Sequence, residues 1–338
     1  MNNRENDNYS ILDLCKFVLC FAVVAIHTRP LEYCTNNWII NLYEAIVQLA
    51  VPFFFMSSGF LLEMKCHHIS NNNSSDIINR RLMRIGKMYI VWTIIYLPLS
   101  IFLGVRKDLP VVKMLSNFIL GLFVTGEQQG AWILWYLLGT FYSLFVLLLI
   151  SKSRYGITWK KLIMIVSVAI VLVMMMSFVA SYNGESQVFE LARKISQTIF
   201  TSGRIFKGFI YVPVGMLIYR YPIAKWKNVI LLTVGFLGCI LLLENPLSLL
   251  FNIVASVGLF GLLTGISLKK RKIYLLLRDF STTIFFVHLY VRTFFCFAVY
   301  GEYTFGMECF IVTSTISFIL AVINSIMRRT NMNMSFNC

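Results

Sequence analysis

Ten apolar runs, each about as long as a helix needs to be to cross a bilayer, recur along the 338-residue chain. They lie near 10–28, 38–63, 84–104, 131–151, 160–181, 203–220, 227–244, 247–267, 277–299 and 307–327. Backbone in hydrocarbon must satisfy its hydrogen bonds within the protein, so ten such runs point to helices. The sequence predicts an all-α, polytopic membrane bundle of about ten transmembrane helices. Composition agrees: 58% of residues are hydrophobic and 13% charged, too few to give a domain of this size a polar skin. A soluble enzyme, a disordered protein and a disulfide-stapled module are excluded.

The net charge of +15 does not indicate nucleic acid, because the basic residues sit in short clusters between the apolar runs. An eleventh run, Val111 to Val124, is short, and charge decides its place. If it does not span, roughly twenty of the thirty Lys and Arg fall on one side, including Arg80-Arg81 and Lys269-Lys270-Arg271-Lys272. The expectation is ten spans, both termini cytoplasmic, and 105–130 outside as a re-entrant or surface helix. The eight cysteines form no CxxC pair or zinc spacing, so no metal is expected. Ile11–Ile26 lacks a small-residue cleavage site and reads as a retained span. The chain reads as one membrane domain over 1–330, with an Asn/Ser loop at Ser70–Asp76 and a polar cytoplasmic tail over 331–338.

Ionisable residues inside spans are costly and therefore candidates for function. The first span holds Asp13, Lys16 and His27; Lys16 and His27 share a helical face about 16 Å apart. Asp13 and Lys16 also read as a pair neutralising each other at an interface. Arg29, just beyond His27, opposes protonation of the imidazole. In the second run, Pro52 to Gly59 (PFFFMSSG, with Ser58) predicts a mid-span break or a simple kink. Arg80, Arg84 and Lys87 share one face entering the third span with Arg81 close by, suited to lipid headgroups or to a phosphorylated ligand. Arg204 and Lys207 open the 203–220 run, and His288 and Arg292 lie one turn apart inside the 277–299 run. Trp132, Trp135 and Tyr136 fit an interfacial aromatic belt as well as a site. Gly261 and Gly265 have the spacing of close helix packing.

Asp13-Leu14-Cys15-Lys16, then ten residues and His27, resembles the basic-x10-His signature of the acyltransferase-3 family of bacterial membrane proteins. The resemblance continues in order through VPFFFMSSGF (Val51–Phe60), Arg81-x-x-Arg84, Leu134-Trp135-Tyr136-Leu137 and Ser281…His288. Lys16 stands where the family more often has Arg, and Ile133-Leu134 precedes Trp135 where a His is frequent. The resemblance implies a bacterial plasma-membrane protein that transfers an acyl group from a cytoplasmic acyl-CoA, acetyl-CoA foremost, to a small hydroxyl-bearing acceptor. It makes His27 the general base, with Lys16 and Asp13 beside it in the catalytic set. Arg80, Arg81 and Arg84 hold the donor, and Arg29, Ser58, Trp135, Tyr136, Arg204, His288 and Arg292 line the substrate path. Within the family, AVVAIHTRPL and LAVPFFFMSSGF resemble the membrane domain of VanT-type serine racemases of vancomycin-resistant bacteria. There a cytoplasmic racemase domain with pyridoxal phosphate follows the membrane part; this chain carries no such module and ends just after Arg328-Arg329, where one would attach. That resemblance implies a different function for the same polar face, delivery of L-serine to an attached racemase. Both functions remain open at the level of sequence.

Overall fold

The computed structural model describes residues 10–68, 74–181, 187–198, 201–242 and 245–335. The apolar runs fold as helices: α1 (Ser10–Thr28), α2 (Asn37–Val47), α3 (Ala50–His68), α4 (Ser74–Arg106), α5 (Val111–Leu120), α6 (Leu134–Ser151), α7 (Trp159–Ser181), α8 (Gln187–Thr198), α9 (Lys207–Arg220), α10 (Lys225–Leu241), α11 (Ser248–Thr264), α12 (Lys272–Val299) and α13 (Met307–Ser335). Among the described residues, seven stretches are long and apolar enough to cross a membrane: α1, Asn37–His67, α4, α6, α7, α12 and 307–328 of α13. The other three predicted spans are α9, α10 and α11, of 14, 17 and 17 residues. A six-residue 3-10 turn, Thr201–Phe206, precedes α9 and lengthens that run. Aliphatic side chains such as Ile90, Ile94 and Ile101 on α4 and Met164, Val168 and Met175 on α7 face outward, as lipid-facing surfaces require.

Three local expectations change. The 38–63 run is two helices, broken at Gln48–Leu49, and Pro52 sits in the first turn of α3, where its missing N–H costs no helix bond. Asp76 lies in the first turn of α4 rather than in a loop; residues 69–73 of the expected Asn/Ser loop lie outside the described residues. The polar tail continues α13 through Ser335, and 336–338 lie outside the described residues.

The chain forms two compact units. The first comprises Met1–Val51, Lys225–Leu243 and Val254–Cys338. In it α1 packs on α12 and α13, and α2 on α10. Phe17, Phe280 and Phe318 meet pairwise at ring distances of 5.6–6.4 Å, one from each of α1, α12 and α13. The α10–α11 packing uses Gly258 and Gly261, which lie against Leu232 and Asn228, while Gly265 meets no other helix.

The second unit comprises Pro52–Ala224 and Glu244–Ile253. In it α9 approaches α3 backbone to backbone: a Cβ at Gly59 would collide with the Val212 carbonyl, and one at Gly215 with that of Met56. The amphipathic α8, outside every predicted span, packs on α7 through Ser196 and Gln197, which donate to the Met176 and Ala180 carbonyls. Beyond α4 the chain turns back. α5 leads into a π-helical turn, Gly121–Thr125, whose carbonyls at Gly121 and Leu122 accept from the Tyr89 hydroxyl (3.2 and 2.8 Å) and whose Phe123 carbonyl accepts from Tyr142. Gly126 reverses the chain with φ +69°, a left-handed conformation that costs glycine little. Ser100 then donates to the Gln129 carbonyl at 2.7 Å. The segment therefore runs from the far end of α4 down to Tyr89 and back up to Ser100, a re-entrant path.

Candidate functional site

Most of the polar residues singled out by the sequence gather in two places, one in each unit, while Asp13, Lys16 and Arg204 lie apart from both. In the first unit, α1 ends at Thr28 because Arg29 takes a left-handed φ of +45° and Pro30 follows, a pair that cannot continue a helix. The Thr28 carbonyl left open accepts from the Gly306 N–H at 2.9 Å, so the 300–306 loop closes over this helix end. His27, in the last turn of α1, lies against His288 of α12, with ring centroids 5.3 Å apart and planes inclined by 35°. His288 is fully buried; its Nδ1 lies 3.1 Å from the Ile284 carbonyl, which can only accept, so Nδ1 carries the proton. One turn on, Arg292 is 2% exposed, and its guanidinium stands 4.8 Å from the ring centres of both Tyr303 and Phe305. Arg29 approaches the same Phe305 ring at 4.7 Å and pairs with Glu32 at 3.6 Å. Burial raises the Tyr303 phenol above its usual range against the pull of Arg292, so it stays neutral and bonds Thr293 at 3.0 Å.

Asp13 and Lys16 lie toward the other end of α1. Asp13 is buried and within reach of the charges of Lys16, Arg278 and Asp279. The continuous helix keeps Lys16 about 16 Å and Asp13 about 21 Å from His27 along its axis. The three residues that the family resemblance puts in a catalytic set are thus divided between the two ends of one helix.

In the second unit, the Tyr136 hydroxyl bonds Ser58 Oγ at 3.2 Å and the Phe54 carbonyl at 3.3 Å. Its ring packs on Phe55 at 4.6 Å, and Trp135 meets Phe55 at 5.8 Å. Arg81, half-buried, is close enough for its charge to act on Tyr136 and to feel that of Arg84. Arg80 and Arg84 are exposed. Among the described residues, none of the three arginines is paired with a carboxylate. Ser58, Tyr136, Trp135 and Arg81 therefore form one neighbourhood. Arg204 belongs elsewhere, bound to Glu127 of the re-entrant segment.

Two features escaped the sequence reading. Tyr303 and Phe305 lie in a loop, and nothing in their spacing announces a guanidinium cage. Glu63 and Arg220 form a buried ion pair, Nε–Oε1 2.7 Å and Nη2–Oε2 3.1 Å, with Arg220 Nη1 donating to the Ile157 carbonyl at 2.8 Å. An acid at the edge of an apolar run was the available signal.

The acyltransferase domain profile, acyltransferase-3, matches residues 9–327. The chain belongs to the acyltransferase-3 family. Relatives include an amino-acid racemase of Enterococcus faecalis, 30% identical over 133 residues, which are 38% of this chain and 17% of the racemase. A serine/alanine racemase of Enterococcus gallinarum is 30% identical over 122 residues, 36% of this chain and 17% of that protein. The matched stretch is thus a small fraction of the racemases' length. No solved structure matches the chain. The matched range includes His27 and Lys16 on α1 and Arg81 and Arg84 on α4.

Proposed function

We propose that the chain is the acyltransferase-3-type membrane domain of a VanT-like serine racemase, and that it transfers an acyl group from a cytoplasmic acyl-CoA, acetyl-CoA foremost, to a hydroxyl. The observation that carries this reading is the seating of His27 beside the buried His288, one turn from Arg292 and next to Arg29 at the helix end. In this reading His27 takes the proton of the acceptor hydroxyl as its oxygen attacks the thioester carbonyl, and coenzyme A leaves as the thiolate. Arg81 and Arg84, without carboxylate partners, suit the donor's phosphates, with Arg80 at the rim. Ser58 and Tyr136 border that donor grip. The protein sits in the bacterial plasma membrane with both termini in the cytoplasm, where a racemase domain would join the C-terminal end.

The racemase relatives favour a second reading: the domain conducts L-serine to an attached racemase, and the cation-lined end of α1 forms part of its path. Proteoliposomes distinguish the two. Following radiolabelled L-serine entry and acetyl-CoA consumption together, the acyltransferase reading expects thioester consumption that depends on an acceptor. Serine accumulation with no donor consumption sinks that reading and leaves the transporter.

A further inference from the structure

The pair at the centre of α12 poses a question that acyl transfer alone does not answer. Arg292 is buried, yet among the described residues no carboxylate stands within ion-pair distance of it. Its protein contacts are two aromatic rings and a long approach of Nη2 to the Thr304 carbonyl, 3.5 Å. Nε has no hydrogen-bond partner. Of the acids in this region, Glu32 pairs with Arg29, Glu308 accepts from the Tyr300 hydroxyl at 2.7 Å, and Glu302 is exposed. A guanidinium withdrawn from water is strongly disfavoured unless an anion meets it, and its side-on fork of Nε–H and Nη–H fits a carboxylate.

His288 supplies the complementary half. Its Nδ1 proton points at Ile284, which leaves Nε2 as a buried acceptor, and Nε2 also has no partner. One helical turn therefore presents one unpartnered donor on a buried cation, Arg292 Nε, and one unpartnered acceptor, His288 Nε2, beside the ring of His27. A small molecule satisfies both if it carries a carboxylate and, on a neighbouring carbon, an O–H or N–H.

We propose that Arg292 and His288 form a carboxylate-binding floor beside His27, so that the acceptor is a small hydroxy acid or amino acid and not a neutral alcohol or sugar. This rests on the acyltransferase reading for the word acceptor; the binding claim stands without it. The fork of Arg292 takes the carboxylate, His288 Nε2 accepts from the adjacent group, and Arg29, exposed at the mouth, draws the anion in.

The test uses the full chain in detergent micelles, with L-serine, L-serinamide and ethanolamine as probes; all three keep the hydroxyl and only the first has the carboxylate. Calorimetry and thermal melts should show L-serine bound at least about tenfold more tightly than either neutral analogue, with a matching rise in melting temperature. Arg292→Gln should lower L-serine affinity about ten- to a hundredfold and abolish the discrimination, and Arg292→Lys should restore part of it. Equal binding of L-serine and L-serinamide by the folded wild type, or no L-serine binding at all, overturns the proposal without recourse to any variant. Discrimination that survives in a folded Arg292→Gln overturns it too. Acetyl-CoA consumption measured in parallel separates the two ideas. Discrimination without turnover keeps the floor and removes acyl transfer; equal turnover with L-serinamide keeps acyl transfer and removes the floor.

Discussion

Arg220 holds Glu63 with two parallel hydrogen bonds, 2.7 and 3.1 Å, while Glu63 is only 4% exposed. Removing one partner leaves the other charge buried. Arg220→Ala should therefore destabilise the protein by about 3–5 kcal/mol, whereas Glu63→Leu with Arg220→Met should cost far less. Thermal unfolding of the single and double variants in one detergent checks this, and a double variant as weak as Arg220→Ala argues against it.

His27→Ala should leave donor binding intact and slow thioester consumption by about 10²–10⁴, the usual worth of a general base. Stopped assays of coenzyme A release, alongside coenzyme A titration, separate the two quantities. Full turnover in this variant removes His27 from the chemistry.

Arg81→Ala and Arg84→Ala should each weaken coenzyme A binding by about 1.5–3 kcal/mol for every charged hydrogen bond lost. Calorimetry on folded protein measures it. An unchanged affinity returns the arginines to the alternative role of gripping lipid headgroups.

The legible part of the fold was the part written in local chemistry. Runs of about 20 apolar residues are helices whatever surrounds them, and Arg29-Pro30 ends α1 for reasons contained in the dipeptide. The break at Gln48–Leu49 carries no Gly or Pro, so Pro52 drew attention to the wrong place. α8 is amphipathic rather than apolar and gave no spanning signal. His27, Lys16, Arg81 and Arg84 were legible as motif residues. The pairing of His27 with His288 and the Glu63–Arg220 pair join residues from distant parts of the chain, and the cage of Tyr303 and Phe305 around Arg292 is made by a loop folding back on its helix. No spacing encodes such contacts.

The re-entrant path of 111–125 makes a prediction about sidedness. Cysteines introduced at Lys107 and Glu127, in a background without native cysteines, should both react with an impermeant thiol reagent added from outside. Labelling at only one position would make the segment a full span.

Gly59→Ala should be poorly tolerated, because the new methyl would meet backbone rather than a movable side chain. A loss of about 1–3 kcal/mol is the usual cost of such overpacking, readable as a lowered melting temperature. Gly156→Ala, where nothing lies within 4 Å, provides the comparison, although its positive φ adds a small cost of its own.

The reciprocal seating of Gly59 on Val212 and of Gly215 on Met56 makes one close crossing, and Glu63 tied to Arg220 further along fastens α3 to α9 at a second level. Two rods pinned at two points resist sliding and swinging separately; they behave as a single stiff beam. Ser58 is mounted on that beam beside its tightest pin. Any displacement of α9 is therefore delivered, undamped, to the Ser58–Tyr136 hydrogen bond.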